Sequence, residues 1–319
     1  MRTAFITGLT GQDGSYLADQ LLAEGWSVHG LVRLSSDDGE QDVRAEVVQH
    51  AGDLTDEAAL TSLVLDLMPD VIFNLGGISS VAYSWQEPVR TGLVSGIPVA
   101  TLLSACWTAR EASGKEIRML QASSSEVFGV SNTQLQSETA PIKPVSPYGA
   151  AKAFGQQLIA IYRERGLHAS SAILFNHESP RRPAQFVTRK ITREVARIAR
   201  GLSTSLTLGN LDVARDWGWA PDYVDAMVRI ALAPAAADYV VATGKAHSVR
   251  DFVDAAFRAA GIEHWDGLVS LDARFARPAD TPVMRGDNSK LRSELGWTPT
   301  KSFDEIVKLM VAHDLELLD

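Results

Sequence analysis

Tyr148 and Lys152 stand four residues apart in the run Ser146-Pro-Tyr-Gly-Ala-Ala-Lys152. That interval is slightly more than one helical turn, so on a helix the phenol and the ammonium share a face. Ser146 offers an N-cap hydroxyl and Pro147 suits a first turn, so the sequence predicts a helix starting here. A phenol beside a fixed positive charge can act as a proton-transfer device, because the charge favours the phenolate. Upstream, Gln121-Ala-Ser-Ser-Ser-Glu126 supplies three hydroxyls and a carboxylate. The Tyr-x3-Lys pair alone also fits the surface of an amphipathic helix, so the neighbouring elements must decide between the two readings.

The first of those elements is Thr3-Ala-Phe-Ile-Thr7, a short run of β-formers that stops at Gly8. Gly8-Leu-Thr10-Gly11-Gln12-Asp13-Gly14 follows, and then Leu17, Leu21 and Leu22 recur at helical spacing up to Gly25. Strand, glycine turn and helix together aim backbone N–H groups and a positive helix end at a pyrophosphate. The spacing is G-x2-G-x2-G, a departure from the usual dinucleotide fingerprint, and glycine turns also serve ordinary β-to-α connections. A second strand over 27–32 leads to Arg33. An acidic residue at that point would hold the ribose of NAD, whereas an arginine suits the extra phosphate of NADP; the alternative is a solvated loop residue. A third strand at 47–50 leads to Gly52-Asp53-Leu54, where a carboxylate could reach an adenine.

The pattern then repeats: a helix at 56–68, a strand at 71–75 ending in Gly76-Gly77, a helix at 98–113, a strand at 118–123, the helix at 148–165 and a strand at 169–176. Alternation of this kind predicts an α/β fold with a Rossmann-type doubly wound parallel sheet, whose ligands bind beyond the carboxyl ends of the strands. Gly8, Gly76 and Ser123 to Glu126 fall at such ends, which places Tyr148 and Lys152 at the mouth of a cofactor crevice. Residues 177–183 read as a loop, 187–201 as a helix most of whose basic side chains form a solvated face while one or two near a cleft could hold phosphate, and 212–219 as a polar, aromatic loop on a ligand rim. A strand at 205–208, a helix at 221–233, a strand at 238–242 and helices near 248–260, 288–295 and 302–318 complete the chain. The expected division is a cofactor domain over 1–176, completed by about 208–243, and a smaller C-terminal α/β substrate lobe over 177–207 and 244–319.

Composition narrows the function further. A net charge of -9 argues against a nucleic-acid surface. Cys106 is the one cysteine and the seven histidines are scattered, so neither a disulfide framework nor a metal site at ligand spacing is expected. No apolar run is expected to reach the roughly 20 residues of a membrane span, and Met1-Arg-Thr-Ala-Phe lacks the pattern of a signal peptide. The expected compartment is the cytoplasm.

These residues carry a resemblance. The chain is similar to the extended short-chain dehydrogenase/reductases, and within them to the GDP-mannose 4,6-dehydratase family. Matching runs include Ile6-Thr-Gly-Leu-Thr-Gly-Gln-Asp-Gly-Ser-Tyr-Leu17, Gln121-Ala-Ser-Ser-Ser-Glu126, Ile173-Leu-Phe-Asn-His-Glu-Ser-Pro-Arg-Arg182, Phe186-Val-Thr-Arg-Lys-Ile191 and Arg215-Asp-Trp-Gly218. Tyr-x3-Lys marks only the superfamily, whereas Asn-His-Glu-Ser-Pro-Arg-Arg is specific to the family. The resemblance implies an internal redox dehydration of a GDP-sugar on NADP. Tyr148, assisted by Lys152, would take the C4 hydroxyl proton as hydride leaves C4. Ser124 would hydrogen-bond O4, and Glu126 would remove the C5 proton and help expel the C6 hydroxyl before hydride returns to C6. It also implies cofactor contacts at Gly8, Thr10, Gly11, Gln12, Asp13, Gly14, Arg33, Asp53, Leu54, Leu75, Gly76, Tyr148, Lys152, His177 and Arg182. Substrate contacts are implied at Ser79, Ser125, Asn176, Val187, Lys190, Gly209, Arg215, Arg277 and Asp280.

Departures from the family pattern cluster around the sugar. Asn74-Leu-Gly-Gly-Ile78-Ser-Ser80 loses two polar side chains, Trp219 replaces a histidine, and Leu93-Val-Ser95 and Pro98 alter the helix expected at the subunit interface. The loop after Arg33 is short, so the expected assembly is a homodimer, with a homotetramer as the alternative. Competing readings are a GDP-4-keto-6-deoxyhexose reductase or epimerase, a paralogue for another GDP-hexose, and a non-enzymatic sugar-nucleotide-binding partner.

Overall fold

The structure is a computed structural model, and it describes residues 1–33, 43–130, 135–272, 274 and 281–319. Its first sheet grows outward from β1 (Thr3–Thr7), which pairs in parallel with β2 (Ser27–Val32) on one side and β4 (Val71–Asn74) on the other. β3 (Val48–Ala51) extends the sheet beyond β2. On the other side β5 (Arg118–Ser124), β6 (Ala169–Leu174) and β10 (Asp238–Val241) follow β4. The seven strands run in the order β10-β6-β5-β4-β1-β2-β3, so the winding direction reverses between β1 and β4. A crevice opens at that reversal, at the carboxyl ends of the strands.

The strands alternate their faces with period two. Ala4 and Ile6 point to one side, where they meet Leu17 and Leu21 of α1 (Gln12–Ala23) and Tyr223 and Met227 of α8 (Ala220–Leu232). Phe5 and Ile72 point to the other, against α2 (Glu57–Leu67), α5 (Ile97–Ser113) and α6 (Pro147–Glu164) through Val64, Leu102 and Ile159. Each fully buried aliphatic side chain of this kind contributes about 1.5–3 kcal/mol. β10, α8 and α10 (Ser289–Leu295) come from late in the chain, yet all belong to this first layered unit, α10 through Leu291.

The second sheet centres on β9 (Ala214–Trp219). It pairs antiparallel with β11 (Ala246–Ser248) and in parallel with β13 (Val283–Met284) and β7 (Asn176–Glu178). A separate pair, β8 (Leu206–Leu208) and β12 (Val269–Leu271), lies beside it. α7 (Val187–Ala199), α9 (Val249–Ala259) and α11 (Phe303–Glu316) cover these strands over a core that includes Val195, Trp217, Phe252 and Met310.

Four expectations change. The single strand over 169–176 is two: Phe175 keeps the chain on the first sheet by donating its N–H to Val241 O at 3.0 Å, and Asn176 then pairs with Trp217 in the second. The segment 177–183 is therefore a loop only after Glu178. Residues 212–219 hold a buried central strand, because the polar groups that suggested a loop find partners inside. Asp216 accepts from Thr243 N and Oγ1 at 2.8 and 2.6 Å and from Gly244 N at 2.8 Å. On α7 one basic side chain serves the core and not the solvated face or a cleft: Arg189 is buried and paired with Asp314 of α11. Finally, α3 (Val81–Gln86) and α4 (Pro88–Ser95) were not anticipated, and Pro88–Ser113 is long and apolar enough to cross a membrane by length and composition. More than half of its most apolar 18 residues are buried, with Leu102, Leu103 and Cys106 in the first core.

Candidate active site

The carboxyl ends of the central strands open into a cavity of about 650 Å³. β5 delivers Ser124 to it, and a single 3-10 turn (Ser125–Val127) carries Glu126 immediately after, its N–H donated to Ser124 Oγ at 3.3 Å. α6 starts where the sequence predicts: Ser146 Oγ accepts Gly149 N at 3.0 Å and Pro147 occupies the first turn. Tyr148 and Lys152 both face the cavity, and the hydroxyls of Tyr148 and Ser124 are hydrogen-bonded. Burial pushes Tyr148 up to about 12; the Ser124 bond opposes that rise and the Glu126 carboxylate adds to it. Burial likewise pulls Lys152 down to about 8. In the protein by itself, burial outweighs any help that Lys152 gives to the phenolate.

Lys152 lies 5.9 Å from the centre of the Tyr148 ring and donates to Ala122 O at 2.9 Å. The same carbonyl accepts Gln121 Nε2 at 2.8 Å, Gln121 Oε1 accepts Asn74 Nδ2 at 2.6 Å, and Asn74 Oδ1 accepts Thr7 Oγ1 at 2.6 Å. Thr7 Oγ1 in turn accepts Gly76 N at 3.0 Å. Thr7, Asn74 and Gln121 are one rung of the sheet, buried on β1, β4 and β5. A one-directional chain of this sort polarises along its length and fixes each amide. Sequence reasoning missed this network; its only trace is a polar residue near the end of three apolar strands.

The glycine turn fits a dinucleotide. Gly8 has φ +72°, and a Cβ there would lie 2.8 Å from Gly76 Cα and N; a Cβ at Gly14 would lie 2.2 Å from Gly8 O. The turn therefore packs at a closeness that no other residue allows. Gly11 precedes α1 without a side-chain cap, which leaves first-turn N–H groups for an anionic ligand. Beside it a second cavity of about 360 Å³ is lined by Thr10, Gly11, Gln12, Arg44 and Arg181, with Asp19 on the same wall paired to both arginines. Leu54 packs against Gly76 and Arg33 is exposed at the end of β2. The Asp53 carboxylate accepts Thr55 N and Oγ1 at 2.8 and 2.7 Å, and those bonds, before the more distant Arg33 and Arg90, hold it below the usual carboxylate range.

Among the other expected residues, Asp13, Leu75, Ser79, Ser125, Asn176, His177, Arg182, Val187, Lys190 and Gly209 line the large cavity together with the catalytic four. Arg215 does not: it is buried and donates to Ala214 O and Thr281 O at 2.9 and 2.7 Å. Arg277 and Asp280 lie outside the described residues. Of the departures from the family pattern among the described residues, only Ser80 lines the cavity, and it caps α3 by accepting Tyr83 N at 3.2 Å; Ile78 and Trp219 do not line it. Ser95 Oγ accepts Ile78 N at 2.9 Å and so ties α4 to the loop after β4. Sequence reasoning missed Trp85 and Gln86 of α3 and Thr188 of α7, which also line the cavity, because the short helix carrying the first two was not foreseen. No group of three metal-ligating side chains occurs among the described residues.

Residues 5–310 match the family model for GDP-mannose 4,6 dehydratase. The chain is 44% identical to GDP-mannose 4,6 dehydratase 2 of Arabidopsis thaliana, with 99% of this chain and 87% of the relative covered. It is 41% identical to the GDP-mannose 4,6-dehydratase of Vibrio cholerae serotype O1, covering 99% and 94% respectively. A solved structure of Thermus thermophilus UDP-glucose 4-epimerase complexed with NAD superposes with a TM-score of 0.84 at 27% identity, over 98% of both chains.

Proposed function

Since the chain belongs to the GDP-mannose 4,6 dehydratase family, we propose that it converts GDP-D-mannose to GDP-4-keto-6-deoxy-D-mannose with NADP as its resident cofactor. The observation that carries this reading is the placement of Glu126 in one cavity with Ser124 and Tyr148. A simple hydride-transfer site needs only a proton relay at the alcohol, whereas loss of water also needs an acid/base at the neighbouring carbons. What NADP supplies when bound is reversible two-electron storage between C4 and C6, so none is consumed in net turnover.

The protein's own groups handle the protons. Tyr148 accepts the proton of the C4 hydroxyl, and Ser124, already bonded to the phenol, orients O4. The 4-ketone acidifies the C5 hydrogen; Glu126 takes that proton and delivers one to the C6 hydroxyl, which departs as water. As C6 is reduced, the proton held by Tyr148 passes to C5 and restores the phenolate, which the positive charge of Lys152, fixed on Ala122 O, favours. The uncapped α1 terminus and Gly8, Gly11 and Gly14 would hold the pyrophosphate, and Arg33 suits the extra phosphate of NADP. Asn176, Val187, Lys190 and Gly209 would take the GDP moiety on the opposite wall. The units are best divided by sheet, with residues 1–175 completed by α8, β10 and the stretch carrying Leu291 and Trp297, and the rest forming the substrate lobe.

We read the assembly as a homodimer. Val89, Leu93 and Ile97 recur every four residues along α4 and into α5, 75, 50 and 45% exposed, and Phe154 of α6 is 45% exposed beside them. A contiguous apolar surface on adjoining helices suits a second copy of the same surface.

The test is incubation of purified protein with NADP+ and a panel of GDP-hexoses. The expected result is loss of one water from GDP-mannose with no net NADPH change; a reductase would instead consume one equivalent per product. Undiminished conversion by Tyr148→Phe would overturn the mechanism.

A further inference from the structure

His177 sits at the start of β7, its ring held on both sides. Nδ1 lies 2.7 Å from Phe175 O, and Nε2 lies 2.9 Å from both carboxylate oxygens of Asp13. A backbone carbonyl only accepts a hydrogen bond, and an ionised carboxylate only accepts. Both ring nitrogens must therefore carry hydrogens, which makes the ring an imidazolium; a neutral ring would set one lone pair against an oxygen. Burial works against the charge on His177, but the Asp13 carboxylate and its hydrogen bond prevail and raise the histidine above its ordinary range. Burial also works against the Asp13 carboxylate, while His177, followed by Gln12 and Arg182, holds it below its ordinary range.

The location makes this pair more than a structural tie. Asp13 lies in the first turn of α1, the helix end that faces a pyrophosphate in the function proposed above. An unneutralised carboxylate at that point would repel the ligand that the helix terminus attracts. The other charged or titratable groups around His177 are few. Arg182 follows β7 and pairs with Glu178 at 3.3 Å, Lys152 and Tyr148 of α6 lie within electrostatic reach of Asp13, and from α8 the Tyr223 ring stacks on the imidazole at 4.5 Å between centroids. Burial raises Tyr223 well above its usual range, so the stacked ring is neutral. Gln12 fastens the same segment by donating to His177 O at 3.1 Å and accepting Ser179 Oγ at 2.8 Å, so the histidine has little freedom to swing away.

We propose that His177 is a resident imidazolium whose task is to neutralise Asp13, and so to make the start of α1 fit to receive an anionic dinucleotide. It is a positioning residue that acts through Asp13. This inference rests on the dinucleotide reading, but its first test does not. In the full chain with 15N-labelled histidine, NMR at pH 7 should show both ring nitrogens of His177 protonated, the resonances being identified by their loss in His177→Asn. Asp13→Asn should return His177 to a neutral ring. One unprotonated ring nitrogen in the unsubstituted protein would overturn the proposal.

The second test is equilibrium binding of NADP+ by calorimetry. His177→Asn should bind about 10- to 100-fold more weakly, as expected when one partner of a buried charge pair is removed. Adding Asp13→Asn to that variant should restore most of the affinity, since the uncompensated charge is then gone. A purely structural tie would instead make the double variant no better than the single one, and that result would refute the inference. Binding should also weaken as pH rises through the raised pKa of His177, because the cation is present below it and lost above it; the double variant should lose this dependence. Should the unsubstituted protein bind neither NADP+ nor NAD+, the dinucleotide reading fails and the proposed role fails with it, while the NMR result still fixes the charge.

Discussion

The carbonyl oxygen of Glu126 lies 2.6 Å from the point where a Cβ would stand at Gly149. The 3-10 turn bearing the carboxylate and the first turn of α6 bearing Tyr148 are thus in direct backbone contact, and the absence of a side chain at Gly149 sets how close the acid/base and the phenol come. Gly149→Ala should improve helix propensity by about 1 kcal/mol but force the turn and the helix apart, at about 1–3 kcal/mol. The expected outcome is a modestly lower denaturation midpoint. With the reacting groups displaced, kcat should fall by about 10- to 100-fold. Denaturant titration beside steady-state kinetics checks both, and unchanged kcat would show that the contact does not set the geometry.

Glu126→Gln keeps the shape of the side chain and removes its ability to take a proton. If Glu126 acts only after oxidation at C4, the variant should still oxidise the sugar, and reduced nicotinamide should accumulate on mixing with GDP-mannose and persist. Overall dehydration should slow by about 10²- to 10⁴-fold. Stopped-flow absorbance gives the first quantity and product mass the second. Loss of both together would place Glu126 in the first step instead.

Lys152 sets an alkaline limit. Its ammonium, lowered to about 8 by burial, is retained below that pH and lost above it, so kcat/KM should decline as pH rises through roughly 8. Lys152→Arg keeps its charge across this range, and its slower activity should show no such limb. The linked stability effect has the opposite slope. The unfolded lysine binds its proton up to about 10.5, so between about 8 and 10.5 the unfolded chain holds the extra proton and the folded state gains stability as pH rises. Lys152→Met should therefore raise the denaturation midpoint at pH 7 and lose that advantage toward pH 10.5.

How much of this was legible beforehand varies with the range of the interaction. Tyr148, Lys152 and their helix were readable because Ser146, Pro147 and the four-residue interval are local signals. The doubly wound sheet followed from alternation, and the late strand at 238–242 was expected to complete it. Residues 212–219 misled because Arg215 and Asp216 look solvated in sequence, and only the tertiary fold provides Thr281 O and the N–H groups of Thr243 and Gly244. The break at Phe175 was hidden for a similar reason: a run of buried residues does not say which of two sheets each one joins. The rung of Thr7, Asn74 and Gln121 depends on register across three strands, and residue spacing carries no register.

The apolar surface on α4, α5 and α6 leads to the last prediction. Leu93 and Phe154 are half exposed, and neither belongs to the residues lining the cavity. Phe154 Cδ1 lies 3.3 Å from where a Cβ of Gly96 would be, so the ring rests over the junction of α4 and α5 and joins the three helices into one face. Two such faces brought together would cover the exposed parts of Val89, Leu93, Ile97 and Phe154, whereas in a monomer all four contact water. A charge at the centre of that contact would meet its own symmetry copy and oppose association. Leu93→Glu and Phe154→Glu should therefore convert a dimer of the unsubstituted chain to monomer in light scattering coupled to size-exclusion chromatography, while far-ultraviolet circular dichroism stays unchanged. An unsubstituted chain that runs as a monomer, or a charged variant that still dimerises, would rule out this face as the interface.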